Sequence, residues 1–162
     1  MLIEADKRGA DHAMHLTYSP DGELFSIPEN LYLLGMMNTA DRSLAIVDYA
    51  LRRRFAFFTL KPAFGSERFA EYLLNAGVEE EILQHIDRRF GELNQYIRDD
   101  SENLGPGFEI GHSYFVPSGE ESSLDEHWYR TIIQTQLLPL LEEYWFDRPE
   151  LVTQHEQLVA LP

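Results

Sequence analysis

No cysteine occurs among the 162 residues, so the chain can form no disulfide, no thiolate metal site and no cysteine nucleophile. Long apolar runs are also missing, and none approaches the roughly 18 residues that a membrane-spanning helix needs. The opening MLIEADKRG lacks the basic-then-apolar pattern of a signal peptide. These absences predict a soluble chain with a cytoplasmic address. Cations are scarce in one part only. Residues 63–162 hold six Lys/Arg against twenty Asp/Glu, a net of −14, whereas residues 1–62 hold seven against eight, a net of −1. A segment so acidic repels a phosphate backbone, which argues against direct nucleic-acid binding by the C-terminal part. The composition is otherwise that of a globular chain, at 44% hydrophobic and 25% charged residues, and it excludes a disordered or collagen-like protein.

Between residues 15 and 27, a Pro-Asp-Gly turn at Pro20 to Gly22 separates two β-type stretches and predicts a hairpin. Residues 31–37, LYLLGMM, are almost continuously apolar after Pro28, as in a strand buried on both faces of a parallel sheet. Polar residues arrive at Asn38, and Leu44, Val47 and Leu51 then recur at helical spacing, which predicts strand, tight turn and helix. Residues 55–60, FAFFTL, closed by Pro62, predict a second core strand. Beyond Pro62 the period becomes 3.6. Ser66 is placed to cap a helix ending at Gly77, and Glu79 to Glu81 favour the start of another with Ile82, Ile86, Phe90, Leu93 and Ile97 on one stripe. Residues 101–120, rich in Gly and Pro, predict a structured loop. Ser123 with Glu126 then makes a capping box for a long helix kinked at Pro139, and Asp147 to Leu161 predicts one more helix. The expected fold is α/β in residues 1–62 and all-helical in residues 63–162.

Candidate chemistry falls mostly in the nearly neutral part. Asn38, at the end of a buried strand, either turns the chain or orients a water for attack on a phosphate, a role that needs no shifted pKa. Asp41 and Arg42 fit a helix cap and a solvated base, or a ligand contact. The run Arg52, Arg53, Arg54 offers planar bidentate donors at a helix end, suited either to the helix dipole or to phosphate recognition from a neighbouring subunit. His12 and His15 have no third ligand at a useful spacing, so they read as surface histidines. The glycines of GPGFEIGHSYF lack a following Lys-Ser/Thr and read as backbone shaping. His112, Ser113 and Tyr114 are candidates to line a pocket, but no strand-turn-helix elbow supports a nucleophilic triad there.

The block IPENLYLLGMMNTADRSLAIVDYALRRRFAFFTLKP resembles the second half of the AAA+ core in the McrB family, the motor subunits of modification-dependent restriction endonucleases. LGPGFEIGHSYF is similar to that family's C-terminal helical subdomain. The resemblance implies that residues 1–62 are the C-terminal part of an α/β P-loop NTPase core and residues 63–162 an acidic helical lid. It implies that Asn38 is the sensor-1 asparagine and that Met37 to Arg42, MNTADR, form the family's signature loop. Arg53 and Arg54 match the arginines that reach a neighbouring subunit's nucleotide. Thr39, Asp41, Arg42, Arg52 and His112 count as candidate nucleotide-binding or coupling residues. The implied cofactor is GTP or ATP with magnesium, and the implied partners are other AAA+ subunits in a hexameric ring and a McrC-like nuclease. DNA would be read by a separate N-terminal domain, and no membrane is involved.

Departures bound that reading. No G-x-x-x-x-G-K-[ST] occurs in the 162 residues, and no strand ending in Asp-Glu precedes Asn38. MLIEADKRG is similar to the tail of the helix after that strand, so the chain reads as starting in mid-domain. The expectation is a truncated motor half, carrying sensor and finger residues, with no protein metal site, no tight nucleotide binding and no turnover alone. The alternative is a stand-alone module that docks on a complete AAA+ ring and regulates it.

Overall fold

The computed structural model describes residues 3–18, 22–38, 40, 52–119, 121 and 123–161. The chain divides into two units, Met1–Thr59 and Leu60–Pro162. In the first, strands β1 (Met14–His15) and β2 (Leu24–Phe25) pair antiparallel, Met14 opposite Phe25 and His15 opposite Leu24. This is the expected hairpin, although Pro20 and Asp21 of its turn lie outside the described residues.

The expected parallel strands are not formed. Residues 31–37 and 55–60 carry no ladder, and Tyr32, Leu34 and Met36 are more than nine-tenths exposed. A strand buried on both faces draws its stability from flanking strands and covering helices. Among the described residues the two-residue hairpin is the only sheet, so these apolar runs have no ladder to join. Residues 3–7 are likewise turns and a bend rather than the end of a helix. Residues 41–51, where Leu44, Val47 and Leu51 predict a helix, lie outside the described residues.

The second unit is helical, as its 3.6 period requires. Helix α1 (Glu67–Ala76) is capped by Ser66, whose hydroxyl accepts from the Phe69 amide at 3.3 Å, and it stops at Gly77 in the left-handed region (φ 100°). Helix α2 (Glu80–Asp99) opens on acidic residues and buries Ile82, Leu83, Ile86, Phe90, Leu93 and Ile97. Helix α3 (Glu126–Ile132) passes through a π-helical segment (Ile133–Leu137) into α4 (Leu138–Tyr144), and α5 (Pro149–Val159) closes the unit. Two details differ from expectation. Asp125 rather than Ser123 caps α3: its carboxylate accepts from the His127 and Trp128 amides at 2.9 and 3.2 Å, while the Ser123 hydroxyl donates to it. A charged acceptor one residue from the helix start outcompetes a hydroxyl further away. The Pro139 effect appears as the π segment just before it, which absorbs the missing N–H and the ring's clash with the preceding turn.

The loop between α2 and α3 is pinned into the core. Asn94, 4% exposed on α2, donates to the Ile110 carbonyl at 2.9 Å and accepts from the Ile110 amide at 2.6 Å. That pairing lets Ile110 and Phe115 be fully buried, with Phe115 against Phe90 at 4.7 Å between ring centres. At the far end, the Tyr129 hydroxyl and His85 Nε2 (3.2 Å) both donate to the Val159 carbonyl, joining α2, α3 and α5. The Asp100 carboxylate accepts from Asn103, Trp145 Nε1 and Arg148 at 2.8, 3.1 and 2.6 Å. Burial works to raise its pKa, but these donors outweigh it and hold the group at about 2.

Two predictions follow from these contacts. Replacing Asn94 by Ala leaves both Ile110 backbone groups buried without a partner. It should lower unfolding free energy by about 2–4 kcal/mol in urea titration. Burial pushes His85 and His155 below the ordinary 6.5, the Val159 bond offsetting this only in part for His85. The folded state therefore binds fewer protons than the unfolded one, so their contribution is complete above pH 6.5 and erodes as pH falls below it. The Asp100 contribution persists until pH drops below 3.8 toward about 2. Thermal midpoints measured from pH 7.5 to 5 should decline, and His155→Phe, which removes the buried unpartnered Nδ1, should flatten the decline.

Candidate functional site

In the first unit, the residues after the hairpin are held by backbone carbonyls turned toward a cation. Gly9, at φ 82°, donates its amide to the Ile27 carbonyl at 2.8 Å. Arg8, just before it, spreads its guanidinium over three carbonyls: Leu31 at 2.8 Å, Glu4 at 3.3 Å and Ile3 at 3.4 Å. Seven residues beyond Leu31, Asn38 is exposed, and its side-chain oxygen accepts from the Ala40 amide at 3.0 Å. This is an Asx turn, which fixes the amide oxygen toward the chain. Thr39, Asp41 and Arg42 lie outside the described residues.

The three arginines have different surroundings. Arg52 lies over the Phe57 ring at 5.8 Å, within cation–π reach. Arg53 is exposed. Arg54 is half-buried, and its Nε donates to Glu4 at 2.6 Å, with both side chains about a quarter exposed. Sequence reasoning missed Glu4 and Arg8. No local pattern marks them, because their partners lie 50 and 23 residues away.

In the helical unit, His112 Nδ1 accepts from the Ala63 amide at 3.1 Å, and its ring meets Phe69 edge-on at 5.3 Å. An acceptor at Nδ1 places the proton on Nε2. The Gly65 amide donates to Asp87 at 2.8 Å, and Phe64 stacks on Phe90. His112 and Asp87 thus pin residues 63–65 to the helical core. Gly105, at φ 99°, shapes the turn before His112 rather than cradling a ligand, since its amide is used by the Ile97 carbonyl. Ser113 and Tyr114 line an open cleft of about 690 Å³ with His127, Trp128 and Gln136. Among the described residues no three His, Asp or Glu side chains converge as a metal site.

Comparison with known proteins places this arrangement. The family described as "McrB, alpha-helical lid domain" matches residues 85–153, from the second turn of α2 into α5. The chain is 50% identical over 151 residues to the type IV methyl-directed restriction enzyme EcoKMcrB subunit of Escherichia coli K12. The chain is McrB-like. The match takes in 92% of this chain and 33% of that subunit, so the chain spans about a third of its relative's length. The McrB-type lid accounts for the buried loop: the Asn94 pairing, His112 and Phe115 all lie inside the matched residues. No helix among the described residues is long and apolar enough to cross a membrane.

The position of His112 carries a prediction. His112→Ala removes the acceptor of the Ala63 amide and the contact with Phe69. It should cost about 1–2 kcal/mol of stability and speed hydrogen exchange at the Ala63 amide selectively, as read by NMR.

Proposed function

We propose that this chain supplies the sensor and finger side of a McrB-type, GTP- or ATP-driven motor for methyl-directed restriction. The observation that carries this is the half-identical match. At 92% of the chain it is long enough to take in both the MNTADR and LRRRF segments and the lid. In this reading residues 1–62 are the C-terminal part of an AAA+ core and residues 63–162 its helical lid. The exposure of Tyr32, Leu34, Met36 and Phe58 supports it, since a run buried on both faces in a complete sheet is left bare without neighbours. Subunits would form a ring with a McrC-like nuclease partner, and DNA would be read outside these residues.

Asn38 orients the attacking water, and Thr39, Asp41 and Arg42 couple that step to a neighbour. Arg53 and Arg54 stabilise charge that develops on the neighbouring subunit's nucleotide, and Arg52 and His112 contribute to nucleotide binding or coupling. The guanidiniums suit phosphate oxygens. In this reading the chain contributes positioning and positive charge.

The test has two arms. Purified chain given GTP or ATP with magnesium should show no turnover above a mutant-controlled background. Mixed with a complete McrB-type subunit, it should change that subunit's hydrolysis rate, and replacing Arg53 and Arg54 by Ala should abolish the change. Turnover by the chain alone, or an unchanged rate in the mixture, would overturn the proposal.

A further inference from the structure

The helical unit carries a cleft of about 690 Å³ that the roles proposed above do not use. One wall is the loop after His112, with Ser113, Tyr114 and Val116, and the other is the helix running from His127 to Gln136. The π segment shapes that second wall. At roughly 3.6 residues per turn Thr135 would continue the row of Trp128, Thr131 and Ile132, but the wider i→i+5 turn brings Gln136 to the cleft instead. Thr135 turns back and donates to the Thr131 carbonyl at 2.7 Å. Trp128 lines the cleft and is 8% exposed, and neither its indole N–H nor the Gln136 amide has a hydrogen-bond partner among the described residues. An indole N–H so nearly buried calls for an acceptor from outside the chain. We infer that this cleft docks an extended, basic segment of a partner polypeptide.

Length, hydrogen-bonding character and charge select that occupant. The wall from Trp128 to Gln136 spans roughly 12 Å at about 1.5 Å per residue, which suits three or four extended residues at about 3.3 Å each. Its polar groups are mixed: the Trp128 indole only donates, the Gln136 amide donates and accepts, and the Ser113 and Tyr114 hydroxyls do either. A peptide main chain offers the matching alternation of carbonyl and N–H. Among the described residues of the lining the one fixed charge is the Glu121 carboxylate, held at the rim by the Ser118 and Gly119 amides, each at 2.9 Å. Residues 63–162 as a whole carry a net of −14. Lysine or arginine on the docked segment is therefore drawn in, and an acidic segment is repelled.

The experiment titrates pools of acetylated and amidated hexapeptides, to millimolar concentration, into the isotope-labelled chain and follows it by NMR. The pools carry Lys/Arg, Ser/Asn or Asp/Glu at alternate positions. The basic pool should shift the Trp128 indole N–H and the Gln136 side-chain amide saturably. The Trp145 indole, already bonded to Asp100 at 3.1 Å, should stay in place and serves as the internal control. Gln136→Ala, at an exposed position, should weaken binding about tenfold, and Trp128→Phe, which keeps an aromatic ring and removes the donor, should do so by a similar factor. Raised salt should weaken it further, since charge selects the segment. The absence of a saturable shift at these two groups with the basic pool overturns the proposal. So does binding that the neutral or acidic pool matches, or binding that Gln136→Ala leaves unchanged.

Discussion

The helical unit depends on one buried side-chain amide. A loop that enters a core carries backbone donors and acceptors that water can no longer reach, and each one left unpaired costs about as much as a mutation that unfolds a marginal domain. Asn94 resolves this for Ile110 by offering a donor and an acceptor to the same residue, much as a neighbouring strand would. Around that point the Gly105 and Leu104 amides bond back to the Ile97 carbonyl of α2 and the carbonyl of Asp100, which caps that helix. The loop can then send Phe115 inward, where its ring meets Phe64, Phe90, Trp128 and Tyr129. The core is thus built from a helix face and a loop together.

Charge is managed by the same economy. Residues 63–162 contain six arginines. Among the described residues, four of them form ion pairs: Arg89 with Glu92, Arg98 with Glu109, Arg130 with Glu126 and Arg148 with Asp100. The Arg98 and Arg148 pairs involve carboxylates that are little exposed, and they fix loop and helix junctions. The others are surface pairs of little energetic weight. With twenty acidic residues against six basic ones, residues 63–162 keep a net charge of −14, which disfavours contact with a phosphate backbone.

The helical unit was legible from its sequence because a 3.6 period, a Ser cap and a Gly stop are local signals, and the local signals agree with the fold. Asn94 left a trace there: it falls four residues after Phe90 and three before Ile97, a polar position inside an apolar stripe. The first unit was less legible for a physical reason. A continuous apolar run predicts a strand only if neighbours exist to pair with it and cover it, and pairing is a property of the whole sheet rather than of the segment. LYLLGMM and FAFFTL have that pattern and no ladder among the described residues. The residue types at Asn38 and Arg52 to Arg54 marked candidates for phosphate chemistry, yet sequence distance concealed what holds them. Glu4 and Arg8 sit in a stretch without period or motif.

Adjacent arginines in a run are often treated as interchangeable, and here geometry separates them. Arg53 is exposed and keeps the rotamer freedom of a long side chain, so engaging an anion would cost it conformational entropy at that moment. Arg54 is already held by Glu4, so part of that cost is met on folding. The carboxylate also weakens its pull on a second anion. A held arginine therefore favours a defined direction of approach, and an unheld one favours reach.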